Sequence, residues 1–597
     1  AAHRTPMAVF DAAEHARKLS NPAGRKPPEP MTRIGVFVCH CGLNIAGTVD
    51  VETVTQVLRE HPDVVHAADY KYMCSDPGQT LIQDAIEEHA LDAVVVAACS
   101  PAMHETTFGA AAADVGLNRY RLEIANIREQ VSWPHEGQPE AATRKAIEIV
   151  RTLVEKVRGN EELIPLKLPI VRQALVIGGG IAGLTAAIDI ADARYPVLLV
   201  EKQDHLGGRL TQHSELYLNL DSGDELLEQR IEAARSHPWI EILTEAEVVG
   251  LDGYVGNFTA QVRAGGQRQE ERHLDVGAVV LATGFDLYDK ALLSEYGGDR
   301  YPDVVDSLQF EEMLREGTVR RPSDGRVPQE VVWVQCAGSR EPDRHRPYCS
   351  KICCMYVAKQ VIAYRRLVPT GQAYVFYIDI RSQGRGYDEF VQEAMEEYDA
   401  LYLRGKVSKI SPHEGRLAVW GADTLIGDSV RLNADLVVLA TAAVPSEGSG
   451  ELARRVRAAT DESGFLSEAH PKLRPVESLT AGIYLAGACQ FPKDIPETIS
   501  QASGAAAKVL RLFSKDEMTQ EPTVAYVIDE LCSGCGACVD VCPYDARELH
   551  PQQAYATVNT ALCQNCGACL VACPNKASRI HNWTPEQILA MADAVMG

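Results

Sequence analysis

Eight cysteines near the carboxyl end of the 597-residue chain form two copies of one motif, CxxCxxCxxxCP, about 31 residues apart. In this motif, three thiolates of one copy and the fourth thiolate of the other copy bind each [4Fe–4S] cluster. The alternative, a pair of zinc ribbons, would need two CxxC knuckles separated by a longer loop. We therefore predict one cluster on Cys532, Cys535, Cys538 and Cys573, and a second cluster on Cys563, Cys566, Cys569 and Cys542.

A further group of cysteines lies in the middle of the chain, at Cys336, Cys349, Cys353 and Cys354. Four thiols within nineteen residues could bind another [4Fe–4S] cluster. Because adjacent side chains of a regular helix point in different directions, a turn at Cys353 and Cys354 would be required. The alternative is that one of this pair is a small buried hydrophobic residue.

A glycine-rich turn, GxGxxG, is formed by Gly178, Gly180 and Gly183 between the strand ALVIG and a helix that begins near Ile181. Glu201 ends the next strand, where a carboxylate can accept hydrogen bonds from a ribose. The glycines let backbone N–H groups at the helix start approach a pyrophosphate. These residues therefore predict a dinucleotide-binding site.

Together with the later segments GGR and ATG, this set resembles flavoproteins of the thioredoxin reductase type, which contain two dinucleotide-binding folds. The resemblance implies that FAD fills the first fold, with contacts from these residues and from Ala182, Lys202, Gly208, Arg209, Thr283, Gly284, Gly487, Asp494 and Ile495. A plain NAD-binding fold, the alternative, gives no reason for the GGR and ATG segments that contain Gly208 and Thr283. In the second fold, the strand at 331–335 runs into Cys336-Ala337-Gly338 and has lost its glycine-rich turn. We therefore do not expect NAD(P)H to bind directly.

The composition excludes several classes of protein. Hydrophobic residues make up 46% and charged residues 23% of the chain, which is typical of folded globular domains. A formal net charge of −24 would repel nucleic acids and anionic lipid headgroups, so we expect neither as a partner. The longest charge-free apolar stretch, 174–188, is too short to span a bilayer. Residues 1–30 lack the apolar core of an export signal, and we expect a cytoplasmic protein.

The pattern of strands and helices predicts an α/β protein in four parts. We expect a flexible tail over 1–30 and an N-terminal α/β domain over 31–158. A thioredoxin-reductase-like domain with two dinucleotide-binding folds and the additional cluster would cover 159–513. An α+β ferredoxin domain with two clusters would cover 514–597.

Three groups of motifs closely resemble the iron-sulfur flavoprotein subunit of heterodisulfide reductase. They are the stretch from QCAGSR to CSKICCMY (335–356), the segment PKDIPETISQASGAA (492–506), and the N-terminal elements CHCGLN, CSPAMHETTF and NIREQVSW. The resemblance covers roughly residues 33–597. It implies one more [4Fe–4S] cluster, bound by Cys39, Cys41, Cys74 and Cys99. Their spacing matches no compact metal motif, so structural cysteines remain the alternative.

The resemblance also implies a function. We expect an oxidoreductase subunit in which FAD itself is the redox centre, with electron bifurcation or confurcation between a two-electron donor, ferredoxin and a disulfide. The implied partners are other heterodisulfide-reductase-like subunits, ferredoxin and a hydrogenase, formate dehydrogenase or NADH dehydrogenase, in a dimeric complex. The alternatives are an electron conduit that does not bifurcate, and a scaffold subunit.

One departure from the family pattern affects this expectation. Many members carry a further ferredoxin module inserted in the flavin domain, whereas this chain has no cysteine between Cys99 and Cys336. One electron exit is therefore missing or supplied by another chain of the complex.

Overall fold

The computed structural model describes residues 32–265 and 270–596, so the tail predicted over 1–30 lies outside the described residues. The described chain forms two compact units. One unit combines residues up to 166 with residues from 520 onward, and the other contains 167–519. None of the helices in the described ranges combines the length and the hydropathy that a membrane span requires.

The N-terminal domain is a four-stranded parallel sheet between helices, in the order β2-β1-β3-β4. Buried aliphatic runs such as IGVFVC and AVVVAA form β1 and β3, which are covered on both faces. The strands are β1 (Ile34–Cys39), β2 (Val64–Tyr70), β3 (Ala93–Ala98) and β4 (Leu122–Asn126). The helices are α1 (Leu43–Ala46), α2 (Val51–Arg59), α3 (Asp76–Glu88), α4 (Pro101–Asp114) and α5 (Pro139–Arg158).

The central region begins with β5 and contains two dinucleotide-binding folds. Its strands are β5 (Leu166–Pro169), β6 (Ala174–Ile177), β7 (Val197–Val200), β8 (Ile240–Leu243), β9 (Ala246–Tyr254), β10 (Asn257–Ala264), β11 (Glu270–Val276), β12 (Ala278–Leu281), β13 (Phe285–Leu287), β14 (Val304–Asp306), β15 (Glu330–Ala337), β16 (Gln372–Tyr377), β17 (Leu401–Arg404), β18 (Lys409–His413), β19 (Arg416–Asp423), β20 (Asp428–Ala434), β21 (Leu436–Thr441), β22 (Ala443–Pro445), β23 (Ile483–Leu485) and β24 (Glu517–Gln520). Its helices are α6 (Ile181–Asp192), α7 (Gly223–Ser236), α8 (Ser307–Arg315), α9 (Cys353–Leu367), α10 (Tyr387–Glu396), α11 (Ser449–Arg455) and α12 (Ile495–Phe513).

Each of the two folds pairs a five-stranded parallel sheet with a three-stranded antiparallel sheet. The first parallel sheet has the order β23-β12-β6-β7-β8, and the antiparallel sheet β11-β10-β9 packs against it through alternating buried residues. The second parallel sheet has the order β14-β21-β15-β16-β17, accompanied by β18-β19-β20. Because β23 returns to the first sheet from the far end of the region, the two folds are interleaved.

The carboxyl-terminal segment is built from short hairpins and helices around the two cysteine motifs. Its elements are β25 (Ala525–Val527), α13 (Ala537–Asp540), β26 (Arg547–Leu549), β27 (Ala556–Val558), α14 (Ala568–Ala572), β28 (Ser578–Ile580) and α15 (Pro585–Met596). Helix α15 packs on α5 of the N-terminal domain, where the Gln587 amide donates to the Lys156 carbonyl and the Asn160 side chain. The segment therefore shares one compact unit with the N-terminal domain.

Candidate functional site

The three glycines of the first dinucleotide-binding fold have different structural roles. Gly178 has φ +113°, a conformation that side chains rarely adopt. A Cβ on Gly183 would lie 1.8 Å from the Gly178 carbonyl oxygen, so this glycine permits close packing of α6 on β6. A Cβ on Gly180 would meet only the Gly208 Cα, at 3.9 Å. The space beside Gly180 is therefore open, as a pyrophosphate at the start of α6 requires.

A cavity of about 810 Å³ lies at these glycines. The predicted residues Gly183 and Gly487 do not line it: Gly487 lies behind Ala182 and Thr498. Buried Thr283 Oγ1 has no hydrogen-bond partner among the described residues, which leaves a polar atom for a ligand. The other predicted residues all line the cavity, namely Gly178, Gly180, Ile181, Ala182, Glu201, Lys202, Gly208, Arg209, Thr283, Gly284, Asp494 and Ile495.

Two buried carboxylates are held in fixed positions at this cavity. Glu201 accepts hydrogen bonds from the backbone N–H of Gly179 at 2.6 Å and of Gln203 at 2.9 Å. Asp494 caps α12 by accepting from the Glu497 N–H at 2.8 Å, and the Tyr387 hydroxyl donates to its other oxygen at 2.6 Å. Glu201 is thus placed to accept from ribose hydroxyls, and Asp494 orients the start of α12 at the cavity wall.

The sequence did not reveal an ion pair in the same wall. Lys359 on α9 donates to both carboxylate oxygens of Glu311 on α8, and the two side chains are only 1% and 2% exposed. Gln360 donates to Glu311 at 2.8 Å, and the Ser214 hydroxyl donates at 2.9 Å. Burial raises the pKa of Glu311, but the charge of Lys359 and the hydrogen bonds from Lys359 and Gln360 outweigh it, and the pKa falls below its usual value. The pair therefore places fixed charges at the cavity.

The structure brings the Cys336 group together at the end of β15. Cys336 adopts φ +57°, a strained conformation that is characteristic of functional sites. Ile352 caps α9, so Cys353 and Cys354 are the first two residues of that helix. Unpaired backbone N–H groups and the helix dipole favour negative charge there, which suits thiolate ligands. The sequence analysis expected a turn at the adjacent pair, whereas the structure places both cysteines in the first turn of the helix.

The pKa shifts of these thiols indicate that they are neighbours. The pKa of Cys336 is lowered, first by a hydrogen bond from Cys353, and the pKa of Cys354 is lowered for the same reason. Cys349 accepts from the Lys351 N–H at 3.3 Å, and its pKa is raised by burial and by the nearby charges of Cys336 and Cys354. The four thiols are thus neighbours, and an all-thiolate set of this kind could bind a cluster.

Helix α9 belongs both to this thiol group and to the cavity. Ile352, Tyr356, Lys359 and Gln360 line the cavity within eight residues of the cysteine pair. The pKa of Tyr356 is raised well above its usual value by burial and then by the charge of Cys353. The thiol group and the cavity are therefore direct neighbours along one helix.

The four N-terminal cysteines follow the carboxyl ends of three neighbouring strands. Cys39 ends β1 and Cys41 follows it, Cys74 follows β2, and Cys99 follows β3. Open parallel sheets bind ligands at this edge, where the strand order reverses. Cys39 Sγ accepts from the N–H groups of Cys41 at 3.3 Å and Met73 at 3.4 Å.

Electrostatic interactions link these four thiols. Burial raises the pKa of Cys39, and nearby Cys41 and Cys74 raise it further. The pKa of Cys99 is raised by burial, and Cys41 and Cys74 again contribute. The structure therefore brings all four cysteines together, although intervals of up to 33 residues separate them in sequence.

In the carboxyl-terminal segment, the two cysteine motifs adopt matching conformations. Gly534 and Asn565 occupy equivalent positions and have φ +64° and +53°. Glycine and asparagine are the residues that tolerate this conformation best. The four cysteines predicted for the second cluster, including Cys542 from the first motif, line one small cavity: Cys542, Cys563, Cys566 and Cys569.

Two of the cysteines predicted for the first cluster have shifted pKa values. Burial raises the pKa of Cys538, and Cys532 adds to it. For Cys573, burial also raises the pKa, but backbone N–H groups of residues 575–578 together outweigh it and lower the pKa. The seventeenth cysteine, Cys489, belongs to no group: its thiol donates to backbone carbonyls, and burial raises its pKa to about 11.

Two protein families match parts of this chain. Residues 172–317 match the family described as pyridine nucleotide-disulphide oxidoreductase, and residues 531–577 match the 4Fe-4S dicluster domain. The first family implies a flavin and the second implies [4Fe–4S] clusters. Together with the two dinucleotide-binding folds, these matches confirm the predicted fold class.

Relatives match most of the chain. It is 38% identical to an iron-sulfur subunit of the CoB–CoM heterodisulfide reductase of Methanopyrus kandleri, over 87% of this chain and 92% of the relative. It is also 38% identical to the corresponding subunit of the H(2):CoB-CoM heterodisulfide,ferredoxin reductase of Methanothermobacter thermautotrophicus, over 94% and 97%. A solved structure, Lactococcus lactis thioredoxin reductase, matches with a TM-score of 0.41 and 16% identity, over 58% of this chain and 99% of that one. On its likeness to the first two relatives, the chain belongs to the family of iron-sulfur flavoprotein subunits of heterodisulfide reductase, an oxidoreductase.

Proposed function

We propose that this chain is the FAD-containing and [4Fe–4S]-containing electron-transfer subunit of a heterodisulfide-reductase-like complex. The observation that carries the proposal is helix α9, which begins with Cys353 and Cys354 and lines the dinucleotide cavity with Lys359. A flavin in the cavity and a cluster on the Cys336 group would be neighbours. Electrons could then pass between them without a diffusible carrier.

The chain's own residues have separate tasks in this proposal. The start of α6 binds the pyrophosphate of FAD through backbone N–H groups, and Glu201 accepts from the ribose. Lys359 and Glu311 hold fixed charges at the cavity wall. FAD, when bound, converts between two-electron and one-electron transfer. The protein sets the position and the surroundings of each redox centre.

We propose four clusters in total. The donor sets are all-thiolate, which is typical of [4Fe–4S] sites. Two clusters lie in the carboxyl-terminal segment with crossed ligation by the two motifs, and the joint cavity at Cys542 and Cys563 supports this arrangement. A third lies on the Cys336 group and a fourth on the N-terminal cysteines. The protein should then contain about sixteen irons, four in each cluster.

The relatives' names motivate the proposed partners. The Methanococcus maripaludis relative belongs to an enzyme called H(2)/formate:CoB-CoM heterodisulfide,ferredoxin reductase. By analogy, we propose other heterodisulfide-reductase-like subunits, ferredoxin and a hydrogenase, formate or NADH dehydrogenase as partners. The reaction would be bifurcation or its reverse: two two-electron donors supply four electrons, of which two reduce a disulfide with two protons and two reduce ferredoxin.

The test uses the native complex, purified anaerobically with its other chains identified. We expect that equal numbers of electrons reach ferredoxin and the disulfide. Omission of either acceptor should stop reduction of the other. Reduction of one acceptor in the absence of the other would instead indicate a conduit without bifurcation. A chain that neither takes up nor releases electrons on any donor would indicate a scaffold.

A further inference from the structure

The motif NIREQVSW in the N-terminal domain has no role in the function proposed above. It follows β4 and forms a π-helical turn over Arg128–Ser132. Such turns are rare and occur frequently at functional sites. The turn is anchored on both sides, because Glu129 N–H donates to the Asn126 side chain at 3.1 Å and the Ser132 hydroxyl donates to the Asn44 carbonyl at 2.6 Å. It thereby fixes the first residue of the turn, Arg128, beside the loop that carries Cys41.

The Arg128 guanidinium lies among sulfur atoms. Its Nη1 donates to Cys41 Sγ at 3.4 Å, and its Nη2 approaches Met103 Sδ at 3.0 Å. The Trp133 ring lies beneath it, with 5.0 Å between the guanidinium carbon and the ring centroid. Glu129 forms an ion pair with it, accepting from Nε at 3.1 Å and from Nη2 at 2.6 Å, and the Arg128 side chain is only 13% exposed. The cation is thus held in one orientation from several sides.

The other described contacts of these thiols are of a different kind. Cys39 Sγ accepts from backbone N–H groups, which carry no net charge. Among the described hydrogen bonds of the four N-terminal thiols, the bond from Arg128 to Cys41 is the one donated by a charged side chain. Hydrogen bonds to cluster sulfurs and local charge are principal determinants of a cluster's reduction potential. Arginine keeps its charge at every physiological pH.

From this geometry we infer that Arg128 sets the reduction potential of the N-terminal cluster by donating to the Cys41 thiolate. The inference rests on the proposed cluster at Cys39, Cys41, Cys74 and Cys99. One-electron reduction adds a negative charge to the cluster. A hydrogen bond to one ligand from a guanidinium, whose other nitrogens pair with Glu129, stabilises the reduced form. Arg128 is a positioning residue, since it acts through a ligand. Its loss should make the cluster harder to reduce.

The test is a redox titration of the full chain, followed by electron paramagnetic resonance under anaerobic conditions. The difference between the spectra of wild type and Cys74→Ser identifies the N-terminal signal. For Arg128→Met we expect full iron content. At a fixed potential, the ratio of reduced to oxidised N-terminal cluster should be at least tenfold lower than in wild type, which corresponds to a midpoint potential about 59 mV lower for one electron. Arg128→Lys keeps the charge without the planar fork, and we expect a smaller shift in the same direction.

Arg158→Met is the matched control, because Arg158 lies in the same unit and pairs with Asp63 and Glu155 instead of a thiol. An unchanged potential at full iron content in either Arg128 variant would overturn the inference. An equal shift in the control would overturn it as well, since any lost charge would then suffice. If Arg128→Met loses iron, the potential of Arg128→Lys becomes the deciding measurement. Loss of four irons from both variants would assign Arg128 to cluster assembly and refute its effect on the potential. If Cys74→Ser leaves the iron content of wild type unchanged, the proposed cluster itself fails, independently of Arg128.

Discussion

Substitution of Gly180 by valine should remove FAD while leaving the fold intact. Gly180 has φ −77° and ψ −177°, an extended conformation that valine adopts readily. Its Cβ would lie 3.9 Å from the Gly208 Cα, an ordinary contact distance, and would otherwise point into open space. The added side chain would therefore clash with the pyrophosphate of FAD but not with the protein. Gly183→Val would disrupt the fold instead, because its Cβ would lie 1.8 Å from a carbonyl oxygen.

The expected loss of affinity follows from the contacts that valine would prevent. The pyrophosphate approaches the start of α6 closely only because the second glycine of the motif has no Cβ. If two charge-assisted hydrogen bonds are lost at about 1.5–3 kcal/mol each, binding weakens by about 3–6 kcal/mol. This corresponds to FAD affinity about 10²-fold to 10⁴-fold lower.

The assay is the amount of FAD released from purified protein per chain, measured together with iron. Gly180→Val should contain little flavin, about sixteen irons and the circular dichroism spectrum of wild type. Gly450→Val is the control: a Cβ there meets nothing within 4 Å, and the residue does not line the cavity. Normal flavin in the Gly180 variant would show that the cofactor lies elsewhere, and equal flavin loss in the control would show that the effect is not local.

Three further outcomes are expected. Cys349→Ser should lose about four irons while the signals of the carboxyl-terminal clusters persist. The control, Cys489→Ser, should keep all of its iron. Unchanged iron in Cys349→Ser would refute a cluster at the Cys336 group. In urea denaturation, Lys359→Met should lower the free energy of unfolding by about 3–5 kcal/mol, because it leaves the Glu311 carboxylate buried without its partner. The double variant Lys359→Met/Glu311→Leu should recover part of this loss. NADH or NADPH mixed rapidly with the isolated chain should not bleach the flavin within a turnover time of ~0.1 s; full bleaching would contradict the loss of the second pyrophosphate site.

The strands and helices that could be predicted are those with a local pattern. The continuous apolar run at β6, followed by glycines, predicts both the strand and the start of α6 at Ile181, and the structure has them at those positions. The N-terminal strand Ile34–Cys39 is a continuous apolar run of the same kind. The antiparallel sheets β9–β11 and β18–β20 were not predicted. The alternation of polar and apolar residues in β10, NFTAQVRA, is nevertheless a local signal of a half-buried strand.

The residues that sequence reasoning missed are those that act through tertiary contacts. Glu311 and Lys359 are 48 residues apart, and nothing near either residue indicates the other. Arg128 is 87 residues from Cys41, and only the unusual motif NIREQVSW could have drawn attention to it. The packing of α15 on α5 joins residues more than 420 positions apart. Such pairings depend on the topology of the whole chain, which local spacing does not encode.

The second dinucleotide-binding fold explains how a nucleotide-binding scaffold could serve one-electron chemistry. In a complete fold the turn after its central strand would carry glycines, and the helix start that follows would bind a pyrophosphate. Here β15 runs into Cys336, and the helix after the turn begins with Cys353 and Cys354. The same features that favour a phosphate, unpaired N–H groups and a helix dipole, also favour thiolates that carry an anionic cluster. The fold would thus keep its anion-binding position, with a thiolate-bound cluster in place of a pyrophosphate. The change from hydride transfer to electron transfer would then need new side chains at the turn but no new architecture.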